Sequence, residues 1–391
     1  MSSQIWGLNG QPLGWNGAIL KAPNPPYVVF LTTRSSTAQS NYLSYDGGIT
    51  FAMNDDLSTL TQGATQMQFP YVAPGGNHLM TNYYSPSASK IIWSHDRGIT
   101  WDASIILADE NYGPGKCSED GQIMLKGSYN NPANNDGAFY SQDGGLTWKL
   151  FEPSSGADNR KFVQPNINLS GQFMFMNSQY ASSSVKAVSS SDYGDNAVRI
   201  EDIDNPAYPF SDAYGAYMNN VISEDGKYQM HAAFALMQNS SDYGYSWITR
   251  KTSSTYINGR MSRSGQYQFY QDNADGSIAG STDYGITWSG FNFIPRVGYY
   301  TMSLDGMNLI GVHPTQYRQL WRCKDFSFSG WYNSFTFDSS ILIAEQSSDG
   351  KLVIAELQDG KVMYSTDGGD NFSQSSFINP LAPDLMYLKI S

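Results

Sequence analysis

Cysteine is nearly absent: Cys117 and Cys323 are the only two in 391 residues. Two thiols cannot build a disulfide framework, and no Cys/His spacing supports a zinc site, so both are expected as buried or free thiols. Charge is scarce as well, at 15% of the chain, and it is biased: 23 Lys plus Arg stand against 35 Asp plus Glu, a net charge of −12. That bias argues against nucleic acid as a partner, because affinity for a phosphate backbone rests on Lys and Arg displacing condensed counterions. Long hydrophobic runs are missing. Nothing approaches the roughly 20 apolar residues of a membrane-spanning helix, so no membrane insertion is expected. Residues 1–7 lack the basic and apolar regions of a signal peptide, so no export is expected either. Four histidines, His78, His95, His231 and His313, have no metal-binding spacing, no nucleophile-elbow Gly-x-Ser-x-Gly occurs, and no cofactor is indicated. Apolar periodicity of 3.6 never persists for three turns, so helix should be almost absent.

What is present is apolar and aromatic: 40% hydrophobic residues, 14% aromatics, 27 Tyr and 37 Gly, enough for a folded core. One octapeptide recurs, Ser-x-Asp-x-Gly-x-Thr-aromatic. Clear copies begin at Ser44, Ser94, Ser141, Ser240 and Ser281; decayed copies begin at Ser190, Cys323 and Ser365. The intervals are 50, 47, 49, 50, 41, 42 and 42 residues, the length of a four-stranded unit rather than of a helical pair. A second signal precedes most copies, as in Ser118-Glu119-Asp120-Gly121, Ser223-Glu224-Asp225-Gly226 and Ser348-Asp349-Gly350. Asp-Gly and Ser-Gly between apolar runs mark hairpins, since Gly takes the positive φ that tight turns require. Each unit thus carries two marked hairpins and reads as one blade. The expectation is an all-β fold, a β-propeller of four-stranded antiparallel blades forming a single domain over residues 1–391.

The octapeptides resemble Asp-boxes, the bacterial neuraminidase (BNR) repeats of sialidases, sortilin-type receptors and some glucanases. The resemblance spans residues 42–372. It implies that the boxes join the third and fourth strands of each blade at the periphery, giving Asp46, Asp96, Asp143, Asp192, Asp242, Asp283, Asp325 and Asp367 a structural role. Eight boxes imply eight blades, or seven if the decayed unit at Cys323 is lost. Residues 17–21 and 27–31 can supply the first strands of blade one, and the terminal strand at residues 385–390 is expected to pair with that blade and close the ring.

A sialidase would also carry three arginines for the substrate carboxylate, the first in an Arg-Ile-Pro segment near the start. The first 60 residues hold one arginine, Arg34, and the nearest string is the reversed Ile294-Pro295-Arg296. No catalytic residue is therefore assigned. A general glycoside hydrolase needs two carboxyl groups about 5–10 Å apart. The acidic loops at Asp109-Glu110, at Glu201, Asp202 and Asp204, and at Asp272 and Asp275 are read as hairpin chemistry, and Asp272–Asp275 lacks the ligand alternation of a calcium loop. The loops at the end opposite the boxes are free to vary, and there Tyr84, Tyr129, Tyr180, Tyr208, Tyr256 and Tyr317 stand beside Asn, Ser and Gln. Tyrosine stacks on apolar faces while amides bond polar edges, so these six are the candidate ligand face. The expected function is a non-enzymatic binding or scaffold propeller for a glycan or protein partner, in a setting such as a virion tail or capsid appendage. The alternative is a glycoside hydrolase of the Asp-box superfamily.

Overall fold

The turn signals fall where the strands end. In the last unit, Ile341–Gln346, Val353–Leu357, Lys361–Ser365 and Ser373–Ile378 are hydrogen-bonded in sequence order as one antiparallel sheet. Val353–Leu357 is buried at every position, while Ser373–Ile378 is largely exposed. A strand with sheets packed on both faces has no solvent side, which is why the inner strands read as continuous apolar runs instead of alternating ones.

A computed structural model describes residues 27–34, 39–60, 66–85, 88–105, 114–127, 138–151, 162–178, 187–200, 219–232, 234–272, 278–290, 299–313, 316–326, 330–378 and 387–391. It is an all-β propeller of eight four-stranded antiparallel blades. The only helix among the described residues is Asp55–Leu60, begun by Asn54, whose Oδ1 accepts from the Leu57 amide at 2.8 Å. The unit at Cys323 is a full blade, Tyr299–Met302, Asn308–Val312, Gln319–Lys324 and Trp331–Thr336, which settles the count at eight.

Two features refine the expectation from sequence. First, the terminal strand Tyr387–Ile390 is not an addition to a complete first blade. It is that blade's innermost strand, paired with Val29–Arg34 in the register Leu31 to Leu388, and Gln39–Ser44 and Ala52–Met53 complete the sheet. The expected early strand at residues 17–21 lies outside the described residues. Second, the outermost strand of blade 5 and the innermost strand of blade 6 are one continuous strand, Ile248–Met261, which pairs with Phe234–Ser240 through its first part and with Gln268–Asp272 through its second.

Eight apolar clusters fill the eight seams between blades. The seam of blades 8 and 1 holds Val29, Leu31 and Leu388 against Leu352, Ile354 and Val362, so the ring closes on the same kind of packing that builds it. Among the described residues, the seam of blades 4 and 5 has the smallest cluster, with Phe175 as its one fully buried member against Ile222 and Trp247.

Candidate functional site

The boxes stand between the third and fourth strands of each blade. In seven of the eight, the Ser hydroxyl donates to Asp Oδ1 at 2.7–2.8 Å, and the amide two residues past the Gly donates to the same oxygen at 2.8–3.0 Å. The side chain of that last residue takes Oδ2, as Thr147 does with Asp143 at 2.5 Å. Where the Thr is replaced, the Ser246 hydroxyl makes the same bond to Asp242, and an Asn amide makes it from Asn196 to Asp192 and from Asn371 to Asp367. Burial alone would raise the Asp143 carboxyl. Hydrogen bonds from Thr147 and Ser141 outweigh it and hold the group below the usual carboxylate range.

The box Gly and aromatic then join blades. Gly145 has φ of 92°, and a Cβ there would lie 2.6 Å from the Trp93 ring of the preceding blade. Trp148 packs edge-on to the same Trp93 at 6.4 Å and donates from Nε1 to the Gly145 carbonyl at 2.9 Å. The seventh box departs from the pattern. Asp325 and Phe326 both take positive φ, and Ser329 lies outside the described residues. Here the rim is tied to the next blade instead: Arg322 at 2.9 Å, Lys324 at 2.6 Å and the Tyr332 hydroxyl at 2.9 Å converge on Asp370 of the eighth box.

The turn after each innermost strand lies at the same end as the boxes, because strands alternate in direction. It uses the same device: Ser118 donates to Asp120 at 2.6 Å, Ser223 to Asp225 at 2.6 Å and Ser347 to Asp349 at 2.7 Å. Neighbouring turns are bonded to each other around the mouth of the central channel. The Glu119 amide donates to Leu169, Glu224 to Arg263, Arg263 to Leu304, Leu304 to Ser348, and Ser348 to Ser391, at 2.7–3.2 Å. Where a link from Leu169 is needed, the Glu224 carboxylate supplies it, accepting from the Leu169 and Ser170 amides.

Inside this mouth lies a cavity of about 270 Å³ lined by residues from all eight innermost strands. The residues that follow the eight innermost strands set a common level: seven donate their amides across an inner turn, as Ser118 does to Ile123, and in blade 1 Ser391 donates in the same way to Val28, with no turn between them. Two residues before that level comes one tier around the channel. It carries three cations, Lys116, Arg260 and Lys389, and one carboxylate, Glu345, hydrogen-bonded to Lys389. Tyr71, Asn166, Val221 and Thr301 complete it. Sequence reasoning missed this tier. Its signal was present, two residues ahead of each inner turn, but only the register across blades gives it meaning.

The BNR/Asp-box repeat family matches this chain at residues 139–150, the third box, and that box recurs on a ring of eight blades. The chain is a β-propeller that carries Asp-box repeats. Among solved structures, the propeller is similar to dihydro-heme d1 dehydrogenase NirN in complex with DHE, at 8% identity over 96% of this chain and 79% of that one, with a TM-score of 0.60. It is similar to a chain of the mitotic checkpoint complex at 11% identity, over 77% and 90%, with a TM-score of 0.52. YCF48 from Cyanidioschyzon merolae aligns at 14% identity over 69% and 87%, with a TM-score of 0.46. Likeness at these identities shows the fold alone. No curated protein matches the sequence.

The candidate ligand face of the propeller is described in part. Tyr129, Tyr180 and Tyr208 lie outside the described residues, as do Asp109, Glu110, Asp275 and the acidic group at residues 201–204. Tyr84 and Tyr256 were expected in loops, and the structure corrects both: Tyr84 belongs to the strand Leu79–Ser85, and Tyr256 lies within the continuous strand Ile248–Met261. Aromatic and hydroxyl-bearing runs such as Ser254-Thr255-Tyr256 suit extended backbone, and neighbour pairing extended the strands through them. Tyr317 is 54% exposed on a turn closed by the Gln319 amide donating to Gln316 at 2.9 Å, and its own carbonyl accepts from Ile341 at 2.7 Å. Buried His313 accepts from the Gln316 amide at 2.9 Å and tilts against Trp321, so the turn is anchored from below. Asp272 is engaged by Ser253 at 2.5 Å and Lys251 at 3.3 Å. Among the described residues, no group of three His, Cys, Asp or Glu side chains is placed to hold a metal ion. His78 and His95 do meet, Nδ1 to Nδ1 at 2.8 Å. Because His95 Nε2 faces the Gly144 carbonyl at 2.8 Å it donates there, so in the neutral pair His78 donates to His95. The pair joins the inner turn and box of blade 2 to the box of blade 3.

Proposed function

We propose that this propeller is a non-enzymatic recognition and scaffold protein, acting as one domain over residues 1–391, whose face opposite the boxes takes a partner. The observation that carries this is Tyr317, an exposed ring on an anchored turn, with Arg318 exposed beside it. Tyr and Arg are the residues that dominate binding energy at protein interfaces, and a turn that is already fixed loses little entropy on contact. A protein partner is therefore favoured. A glycan remains the other ligand class for the same face, through stacking on a sugar ring, and a virion tail or capsid appendage is the setting that the low charge and the Tyr- and Asn-rich composition suit.

The carboxylates described around the channel do not favour the glycoside-hydrolase alternative. Glu345 is bonded to Lys389, and Glu224 is held by two amides with Arg263 at 3.7 Å. The deciding experiment immobilises the full chain and its Tyr317→Ala and Arg318→Ala variants. It measures retention of proteins from the source organism and of an array of glycans, with released sugar assayed in parallel. Retention that falls tenfold or more in the variants, without sugar release, supports the proposal. Sugar release by the wild type, or retention indifferent to both substitutions, overturns it.

A further inference from the structure

We propose that the central channel binds a small, multiply charged oxyanion of the phosphate type, held among Lys116, Arg260 and Lys389. The three cations belong to blades 3, 6 and 1 and occupy one tier, so around the ring they stand two, three and three blades apart. That spacing surrounds the axis with positive charge instead of placing it on one side. The tier's single carboxylate, Glu345, comes from blade 8, next to Lys389, and is bonded to it. Arg260 donates to two carbonyls, Gly259 at 2.8 Å and Tyr300 at 3.4 Å, and lies over the Tyr300 ring at 5.1 Å; all of these partners are uncharged. Lys116 lines the cavity and has no hydrogen-bond or ion-pair partner among the described residues. Its neighbours on the tier are neutral and otherwise engaged: the Tyr71 hydroxyl donates to the Cys117 carbonyl at 3.3 Å, and the Asn166 amide donates to Asn220.

Charge partly withdrawn from water is costly unless it is paired; Lys389 is paired and 40% exposed, Lys116 and Arg260 are half-buried, and a surplus of two positive charges at one level stands out in a chain whose net charge is −12. Burial, followed by the fields of Arg260 and Lys389, pulls the Lys116 ammonium down to about 8. Since two or three blades separate these groups, that repulsion acts across the channel, where an anion would turn it into attraction. An ammonium is a point donor and a guanidinium a planar fork, and three such groups carried on different sides of the channel suit a tetrahedral dianion. A planar monocarboxylate would leave at least one of them bare. The cavity, at about 270 Å³, has Lys116 of the three cations in its lining, with Glu224 and Arg263 nearer the mouth, and it has room for phosphate or pyrophosphate with water.

The test is calorimetric titration and thermal unfolding of the full chain with inorganic phosphate, pyrophosphate and citrate at constant ionic strength. The expected result is saturable binding of one phosphate or pyrophosphate per chain, with a raised Tm. Lys116→Gln and Arg260→Gln should each weaken binding tenfold or more, while Lys361→Gln on the outer surface leaves it unchanged. Lys116→Gln should also melt higher than the wild type without anion, because it removes an uncompensated charge; a merely structural lysine would melt lower. Absence of saturable binding, binding that survives both channel substitutions, or a lower anion-free Tm for Lys116→Gln overturns the proposal. Tighter binding of citrate than of pyrophosphate overturns the phosphate assignment.

Discussion

The rim of box turns and the tier around the channel are built by the same eight blades, yet they handle charge in opposite ways. On the rim, Asp143 finds Ser141 two residues before it and Thr147 four residues after it, and seven of the eight boxes make that closure within their own octapeptide. On the tier, Lys389 meets Glu345, 44 residues away, only because blades 1 and 8 adjoin, and Lys116 has no ion-pair partner among the described residues. Charge that is satisfied locally is structural and repeats. Charge that depends on ring closure differs from blade to blade, and it is there that a site can be built.

Opening the ring should break this contrast most severely. Removing residues 387–391 takes away the innermost strand of blade 1 with Leu388, which is 1% exposed, and leaves the tier without Lys389. The expected loss is about 5 kcal/mol or more, seen by calorimetry as a much lower and less cooperative melt. An unchanged melt would show that closure lies elsewhere. Next in size is Gly145→Ala, which needs a left-handed backbone and collides with Trp93. It should cost about 2–3 kcal/mol in chemical denaturation, whereas Gly290→Ala, with 3.9 Å to its nearest atom, should cost far less.

Acid should separate the two kinds of charge by pH. The Asp carboxyls of seven boxes are held below their ordinary 3.8, so the folded state binds fewer protons than the unfolded one. Their stabilisation is present above about pH 4 and is lost as pH falls further. His78 is lowered from 6.5 by burial and by His95, so it is the unfolded chain that takes up the proton first, and stability should begin to fall already below pH 6.5. Thermal melts from pH 3 to 8 should therefore show two acid slopes, and His78→Asn should flatten the upper one only. A single slope would remove the His pair from the account. The smallest effect is expected from Lys351→Gln, which breaks an exposed pair with Asp349 at 3.6 Å and should shift stability by no more than about 0.5 kcal/mol.

The fold was legible to the extent that its chemistry is local. Box and inner-turn motifs marked the ends of the strands, and their spacing marked the blades. The decayed copy at Cys323 looked expendable, but its blade is complete, because Arg322, Lys324 and Tyr332 tie it to Asp370 of the next blade, a link 38–48 residues long. Tyr84 and Tyr256 were misplaced in loops for a related reason. Whether an extended segment becomes a strand depends on the neighbour that pairs with it, and Tyr256 pairs with Phe234.

By itself the sequence determined the all-β class, the repeat and the turns, because each Ser-x-Asp-x-Gly octapeptide holds its donors, acceptor and positive-φ Gly within a few residues. The small number of cysteines and the missing long apolar runs were equally local facts. Tertiary structure alone decided that the last strand is the first blade's innermost one, that His78 and His95 share a hydrogen bond, and that Lys116, Arg260 and Lys389 stand at one level. Those relations join residues from different blades, and no spacing along the chain encodes the register at which closed sheets bring their inner strands together.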